Sequence, residues 1–364
     1  MTRADGLVLR RAGPDEDEGV RAVIAAAFPD NPKSRAEITR WQYWDNPFGP
    51  TRVWVWDDAG TVVATYAAYP VPVVVMGRRG IAGVGVDAAV APTHQGRGLF
   101  TPLSKALYAD AAAHGMPLTI CYPNANSTAG ITKAGWLPVA RLRTLVLPFD
   151  DAWLAGRFSL PTPVARAARV AAFRVRGTGG LVAREVDGPP EGLDDLWERV
   201  APTVANGVVR DDAWWQWRYA QRPHAPYRCF AVHRGGRLVG AAVTLAREAF
   251  GGRFLNVLEL LTVDVDAARA LTRAIADSAG GAGTGGGAGG GGGAGDGVGG
   301  AVGAALVAVP GSALDRLAGR AGFRRLPQRL EPKPLMFGAV RGDPAAPDPT
   351  ALTWSVAWGD LDHL

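Results

Sequence analysis

The run Val90-Ala91-Pro92-Thr93-His94-Gln95-Gly96-Arg97-Gly98-Leu99-Phe100 decides how this chain is read. Before it lies Ile81 to Val90, an apolar stretch that reads as a strand, and after it Leu99 to His114 reads as a helix. Glycines immediately before a helix let several backbone N–H groups turn into one concavity, where the positive end of the helix dipole favours an anion such as a diphosphate. A tight strand-to-helix turn would use the same glycines, so the loop taken alone leaves both readings open.

Working outward, the N-terminal half continues the alternation of strands and helices. Leu7 to Arg11 is a strand and Asp15 to Phe28 a helix; Arg52 to Asp57 and Val62 to Tyr66 flank an Ala-Gly turn as a hairpin. A second hairpin turns at Gly77-Arg78-Arg79-Gly80, Leu118 to Tyr122 is a short strand, and Leu137 to Leu147 closes the unit. Helices interleaved with a mixed sheet define an α/β (α+β) class.

The same order returns further along the chain. Gly6-Leu7-Val8-Leu9-Arg10 recurs as Gly180-Leu181-Val182-Ala183-Arg184, and Trp41-Gln42-Tyr43 as Trp215-Gln216-Trp217, both 174 residues later. The hairpin starting at Trp54 recurs at Phe230, and Ala134-Gly135-Trp136 recurs as Ala321-Gly322-Phe323. The shift grows because residues 279–301 are nearly all glycine and alanine, a tract that buries nothing and reads as a flexible loop. The expected organisation is a first domain over 1–150, a linker over 151–179, a second domain over 180–340 and a C-terminal tail over 341–364. The second copy has no counterpart of Gln95 to Gly98: after Leu261-Thr262-Val263-Asp264 the chain runs directly into a helix.

Composition narrows the function. The 364 residues carry a net charge of +5, but only four of the 39 basic residues are lysine, and the arginines are scattered without interleaved aromatics, against a nucleic-acid surface. Cys121 and Cys229 sit in apolar runs, and five dispersed histidines offer no metal-ligand spacing, so no metal is expected. No segment reaches the roughly 20 apolar residues of a membrane span, which predicts a cytoplasmic protein with no membrane partner.

Val-x-Pro-x-x-Gln-Gly-Arg-Gly resembles the acetyl-CoA signature of the GNAT superfamily of N-acetyltransferases, departing from it at Phe100, where a small residue is usual. Tyr122-Pro123-Asn124-Ala125-Asn126-Ser127 followed by Lys133-Ala134-Gly135-Trp136 is similar to the continuation of such domains. The resemblance implies two tandem GNAT-like mixed sheets flanked by helices, the second lacking the diphosphate loop. It implies acetyl-CoA, or another acyl-CoA, as co-substrate. The amides of Gln95, Gly96, Arg97, Gly98, Leu99 and Phe100 would hold the diphosphate, the backbone of Ala89, Val90 and Ala91 would pair with the pantetheine arm, and Asn126 would add a contact.

The implied reaction is acyl transfer to an amine of a small molecule, with a base for the ammonium proton and a general acid for the thiolate. The tyrosine usual four residues before the Gly135 position is replaced by Ile131, so Tyr122 is the nearest substitute, with Tyr108 behind it and core packing the plainer reading of both. Asp87 is the candidate base, because a carboxylate inside the apolar run Val84 to Val90 needs a partner or a role. By resemblance to tandem enzymes, Asp360, Asp362 or the terminal carboxylate would contact the amine, beside a simpler reading of the tail as a clamp. Two other readings stand: a catalytically silent scaffold that binds acyl-CoA or a partner, and aminoacyl transfer to a peptide precursor.

Overall fold

A computed structural model describes residues 2–4, 6–29, 32–173, 177–280, 300–327, 331 and 335–361. The glycine tract, apart from its ends, and Asp362 to Leu364 lie outside the described residues.

In chain order the first strands are β1 (Thr2–Ala4), β2 (Leu7–Arg11), β3 (Arg52–Asp58), β4 (Thr61–Val75), β5 (Arg78–Val90), β6 (Leu118–Cys121) and β7 (Trp136–Arg141). Then follow β8 (Arg143–Pro148), β9 (Ala183–Val186), β10 (Asn206–Val208), β11 (Arg228–Arg234), β12 (Arg237–Ala249) and β13 (Gly252–Thr262). The last are β14 (Gly303–Ala308), β15 (Arg324–Arg325) and β16 (Met336–Arg341). Among the helices, α1 (Asp17–Ala27), α2 (Ala36–Thr39), α3 (Phe100–Ala113) and α4 (Ala125–Lys133) belong to the first repeat. α5 (Asp151–Phe158) and α6 (Thr162–Phe173) occupy most of the segment read as a linker; α7 (Leu193–Val200), α8 (Asp212–Trp215), α9 (Val265–Gly280) and α10 (Ala313–Arg320) follow.

Two mixed sheets result. One runs β1-β2-β3-β4-β5-β6-β16-β7, with β10 also on β4, and the other β15-β8-β14-β13-β12-β11-β9. Most inner strands read as continuous apolar runs because both faces are covered: alternate residues of β12 and β13 enter two different apolar clusters. In each repeat the central strand pairs in parallel with the next one for only three residues. Gly83–Gly85 meets Thr119–Cys121, and Phe254–Asn256 meets Gly303–Ala305. Beyond those pairs the strands part and leave a wedge.

The repeats exchange a strand, which corrects the expected closure of the first unit by Leu137 to Leu147. β7 stays in the first sheet, but β8 crosses to pair with β14, and β16 returns from the second repeat to lie between β6 and β7. A boundary at 150 or 340 therefore separates β8 and β16 from the sheets that they complete. Alternating burial states only that a residue faces a core, and β7 and β8 are separated in sequence by Leu142 alone, so the pattern does not say which sheet each half joins.

The repeat register also needs one correction. α2 continues as a π-helix over Arg40–Trp44, and α8 as one over Gln216–Ala220, a shift of 176 rather than 174. Trp41 thus corresponds to Trp217 and Tyr43 to Tyr219. The two tryptophans stack with ring centroids 4.9 Å apart, and the bonding is reciprocal: Trp41 Nε1 donates to the Trp217 carbonyl at 2.9 Å and Trp217 Nε1 to the Trp41 carbonyl at 3.4 Å. Such reciprocity is the signature of a local two-fold relation between the repeats.

Candidate acyl-CoA site and the interface behind it

The loop between β5 and α3 is open. A short 3₁₀ turn at Pro92–His94 leads into Gly96 and Gly98, whose φ angles of 77° and 72° belong to the left-handed region that favours glycine. A Cβ built on either glycine would meet no atom within 4 Å, so these residues serve the backbone path and leave room above it. Leu99, the N-cap of α3, provides no side-chain cap, and the N–H groups of Gly98, Leu99 and Phe100 donate to no acceptor among the described residues. The first turn of a helix thus retains free donors at an exposed loop, the arrangement that receives phosphate groups.

The remaining loop residues hold this shape. Gln95 Nε2 donates to the Val90 carbonyl at 3.2 Å, His94 faces Asp58 at 3.2 Å, and the buried Trp56 donates to the Leu99 carbonyl at 2.9 Å. Arg97 is exposed. Phe100, unusual at its position, is accommodated from the other side: a Cβ on Gly130 of α4 would lie 2.2 Å from its ring. Asn126 is exposed near the start of α4, which is capped by Asn124 through the amides of Asn126 and Ser127. Ala89 to Ala91 are held on one side only, Thr65 and Ala64 pairing with Ala89 and Val90 and the Ala91 amide donating to Val63; beyond Gly85 the opposite edge faces the wedge.

Asp87 sits on a β-bulge with φ of 55°, where β5 has one residue more than β4. Its carboxylate is engaged: Tyr43 donates a hydrogen bond to it, and Lys33 Nζ lies 3.2 Å away, with the Lys33 and Asp87 side chains 8% and 5% exposed. Burial lowers the Lys33 pKa to about 8 despite the attraction of Asp87, and burial followed by Asp87 raises that of Tyr43.

The second repeat builds the same triad. Ala64 pairs with Val90 and Gly240 with Thr262, so Asp87 corresponds to Glu259, each three residues before its paired neighbour at a bulge. Tyr219, the counterpart of Tyr43, donates to Glu259 at 2.8 Å, and Arg210 Nε donates at 3.0 Å. Arg210 also holds Asp360 of the tail at 2.5 Å, and Arg218 donates to the carbonyls of Gly359 and Leu361 at 3.0 and 3.1 Å. Burial would lower the Arg210 pKa, but Asp360 and Glu259 raise it overall; burial is the main cause that raises Glu259. Asp360 is therefore bound inside the protein, while Asp362 and the chain terminus fall outside the described residues. At Gly359 a Cβ would stand 2.1 Å from the Tyr219 hydroxyl, which requires glycine where the tail crosses.

Tyr122 lies at the end of β6, its ring 5.7 Å from that of Phe337. Burial, then Asp360 and Tyr69, raise its pKa well above that of a free phenol, and its hydroxyl has no hydrogen-bond partner among the described residues. Tyr108 instead bonds Tyr66 at 2.9 Å within the core, and Ile131 is buried. The structure thus brings the loop and the wedge edge together, holds Asp87 in a triad and reserves Tyr108 for packing. Lys33, Arg210 and Glu259 were missed from the sequence; the apolar surroundings of Glu259 were the available signal, the same one that singled out Asp87.

Comparison with known proteins agrees with this architecture. Residues 8–139 match the model of the acetyltransferase (GNAT) domain. Over those residues the N-terminal unit is similar to a GNAT acetyltransferase domain, and the chain as a whole carries two mixed sheets in tandem. A GCN5-related N-acetyltransferase from Anabaena variabilis shares 12% identity with a TM-score of 0.65, over 93% of this chain and 73% of that one. A probable N-acyltransferase from Enterococcus faecalis shares 16% identity with a TM-score of 0.62, over 92% and 73%. A GCN5-related N-acetyltransferase from Kribbella flavida shares 15% with a TM-score of 0.60, over 92% and 70%. None of the curated proteins matches the sequence. No helix among the described residues is long and apolar enough to cross a membrane.

Proposed function

We propose that this chain is an acyl-CoA-dependent N-acyltransferase acting in the cytoplasm, with acetyl-CoA as donor and an amine of a small molecule as acceptor. The observation that carries the reading is the uncapped start of α3 behind Gly96 and Gly98, next to the one-sided edge Ala89 to Ala91. The amides of residues 95–100 would hold the diphosphate and the edge would hold the pantetheine arm, with Asn126 as a further contact. Bound acyl-CoA supplies the activated thioester.

Tyr122, half-buried and kept protonated by its surroundings, is suited to give a proton to the departing thiolate. Asp87, the candidate base, acts from within its bonds to Lys33 and Tyr43 and so serves better through water than by direct contact. That engagement also favours a second reading, an acyl-CoA-binding scaffold without turnover. Calorimetric titration of acetyl-CoA into wild type and Gly98→Trp tests the main reading. Saturable binding, lost in the folded variant, is expected; a folded wild type that does not bind would end it, and binding without thiol release across an amine panel would leave the scaffold.

A further inference from the structure

The second repeat has lost the diphosphate loop but kept the wedge. β13 and β14 separate after Asn256 and Ala305, as β5 and β6 do after Gly85 and Cys121. Beyond the separation lies a cavity of about 490 Å³, within the size range of small-molecule sites. Its walls are largely apolar: Leu260 and Leu261 from β13, Leu314 and Leu317 from α10, and Val204 with Ala357, the last contributed by the tail. No residue of the first repeat lines it.

The charges around it differ in their freedom. Glu259 and Arg210 at one side are bound to each other and to Tyr219 and Asp360. Asp264 accepts from the Ala267 amide at 2.9 Å and from Arg234 at 2.8 Å. The place that holds free amides in the first repeat is here closed by the chain's own carboxylate, which excludes a phosphate there. Arg316 donates to the Gly311 carbonyl. Arg320 is exposed, and its side chain has no hydrogen bond or ion pair among the described residues. An apolar chamber with one uncommitted guanidinium at its rim is complementary to a molecule with an apolar body and an anionic head.

The geometry points to a second ligand site in the wedge of the C-terminal repeat, which takes a monocarboxylate with a medium-length apolar chain. The chain lies between β13 and α10, and the carboxylate meets Arg320. This site is independent of the acyl-CoA reading, since nothing in it uses the loop at Gln95 to Gly98.

Decanoate serves as the probe, followed by ligand-observed NMR on the full chain with and without saturating acetyl-CoA. One saturable site that acetyl-CoA leaves unchanged is expected. Leu317→Trp, which fills the chamber, should abolish binding. Arg320→Glu, a surface change that leaves folding intact, should weaken decanoate about tenfold and reverse the preference between decanoate and decylamine. The proposal is overturned if folded wild type shows no saturable binding, if acetyl-CoA displaces the probe, or if Arg320→Glu binds decanoate as wild type does. Because acetyl-CoA binding is measured separately, failure of the first-repeat site would not be mistaken for failure of this one.

Discussion

The helices α3 and α9 leave equivalent strands of two related units and begin in opposite ways. α3 starts behind two left-handed glycines with no side chain on its first amides, whereas α9 starts on Asp264, whose carboxylate already accepts from Ala267. Burial would raise the Asp264 pKa, but the Ala267 amide and Arg234 lower it overall, so the seal stays ionised. The carboxylate triads, in contrast, persist in both repeats. A feature that survives where the diphosphate loop is gone belongs first to the fold. By that argument Asp87, Tyr43 and Lys33 brace the bulge of β5 as Glu259, Tyr219 and Arg210 brace that of β13, whatever further role Asp87 takes in proton transfer.

The triads differ in what depends on them, and the largest expected effect breaks that difference open. Arg210 pairs with two buried carboxyl groups, Glu259 and Asp360, whose side chains are 3% and 2% exposed, and so ties the tail to the second sheet. Arg210→Met leaves both uncompensated and is expected to cost about 4 kcal/mol in urea unfolding, near the range for breaking a buried pair. Lys33→Met, which strands Asp87 alone with Tyr43 still donating, is expected to cost about half as much. Equal losses would mean that the tail contributes nothing to the Arg210 cluster.

Lys33 also sharpens the comparison through pH, because an arginine cannot titrate in the accessible range and a lysine can. Its folded pKa of about 8 lies below the ordinary lysine value of 10.5, so between these values the unfolded chain binds the additional proton. Stability from this group therefore rises as pH rises from about 8 towards 10. The difference between wild type and Lys33→Met should grow by roughly 2 kcal/mol over that interval. The raised pKa of Tyr43 acts only above about pH 10, in both proteins. Parallel stability curves for the two would show that Lys33 titrates as an exposed lysine.

Much of this was legible in the sequence, and the boundary follows physical lines. Glycines before a helix and alternating apolar residues are local signals, so the loop, the hairpins and the repeat could be read directly. The exchange of β8 and β16 could not, because pairing partners are chosen by contacts between residues roughly 190 positions apart, such as Arg141 with Glu331. The triads were half legible: Asp87 stood out as a charge in an apolar strand, but nothing near it in sequence identifies Lys33 or Tyr43. The two-residue error in the register hid the equivalence of Tyr43 and Tyr219, because Trp-Gln-Tyr and Trp-Gln-Trp align by residue identity rather than by place in the π-helix.

The smallest expected effect tests the closed end of α9. Asp264→Ala removes the carboxylate from Ala267 and from Arg234, and loss of a cap of this kind costs about 1 kcal/mol. It should not create acetyl-CoA binding in the second repeat, because freeing the helix amides does not restore the left-handed glycine path of Gly96 and Gly98 that leaves room over them in the first. Calorimetry on Asp264→Ala combined with Gly98→Trp isolates that point, since any binding that remains must come from the second repeat. Recovery of acetyl-CoA binding in the double variant would show that Asp264 alone kept the second wedge closed to the cofactor; its absence, with the melting point lowered by only a few degrees, would assign the selectivity to the loop.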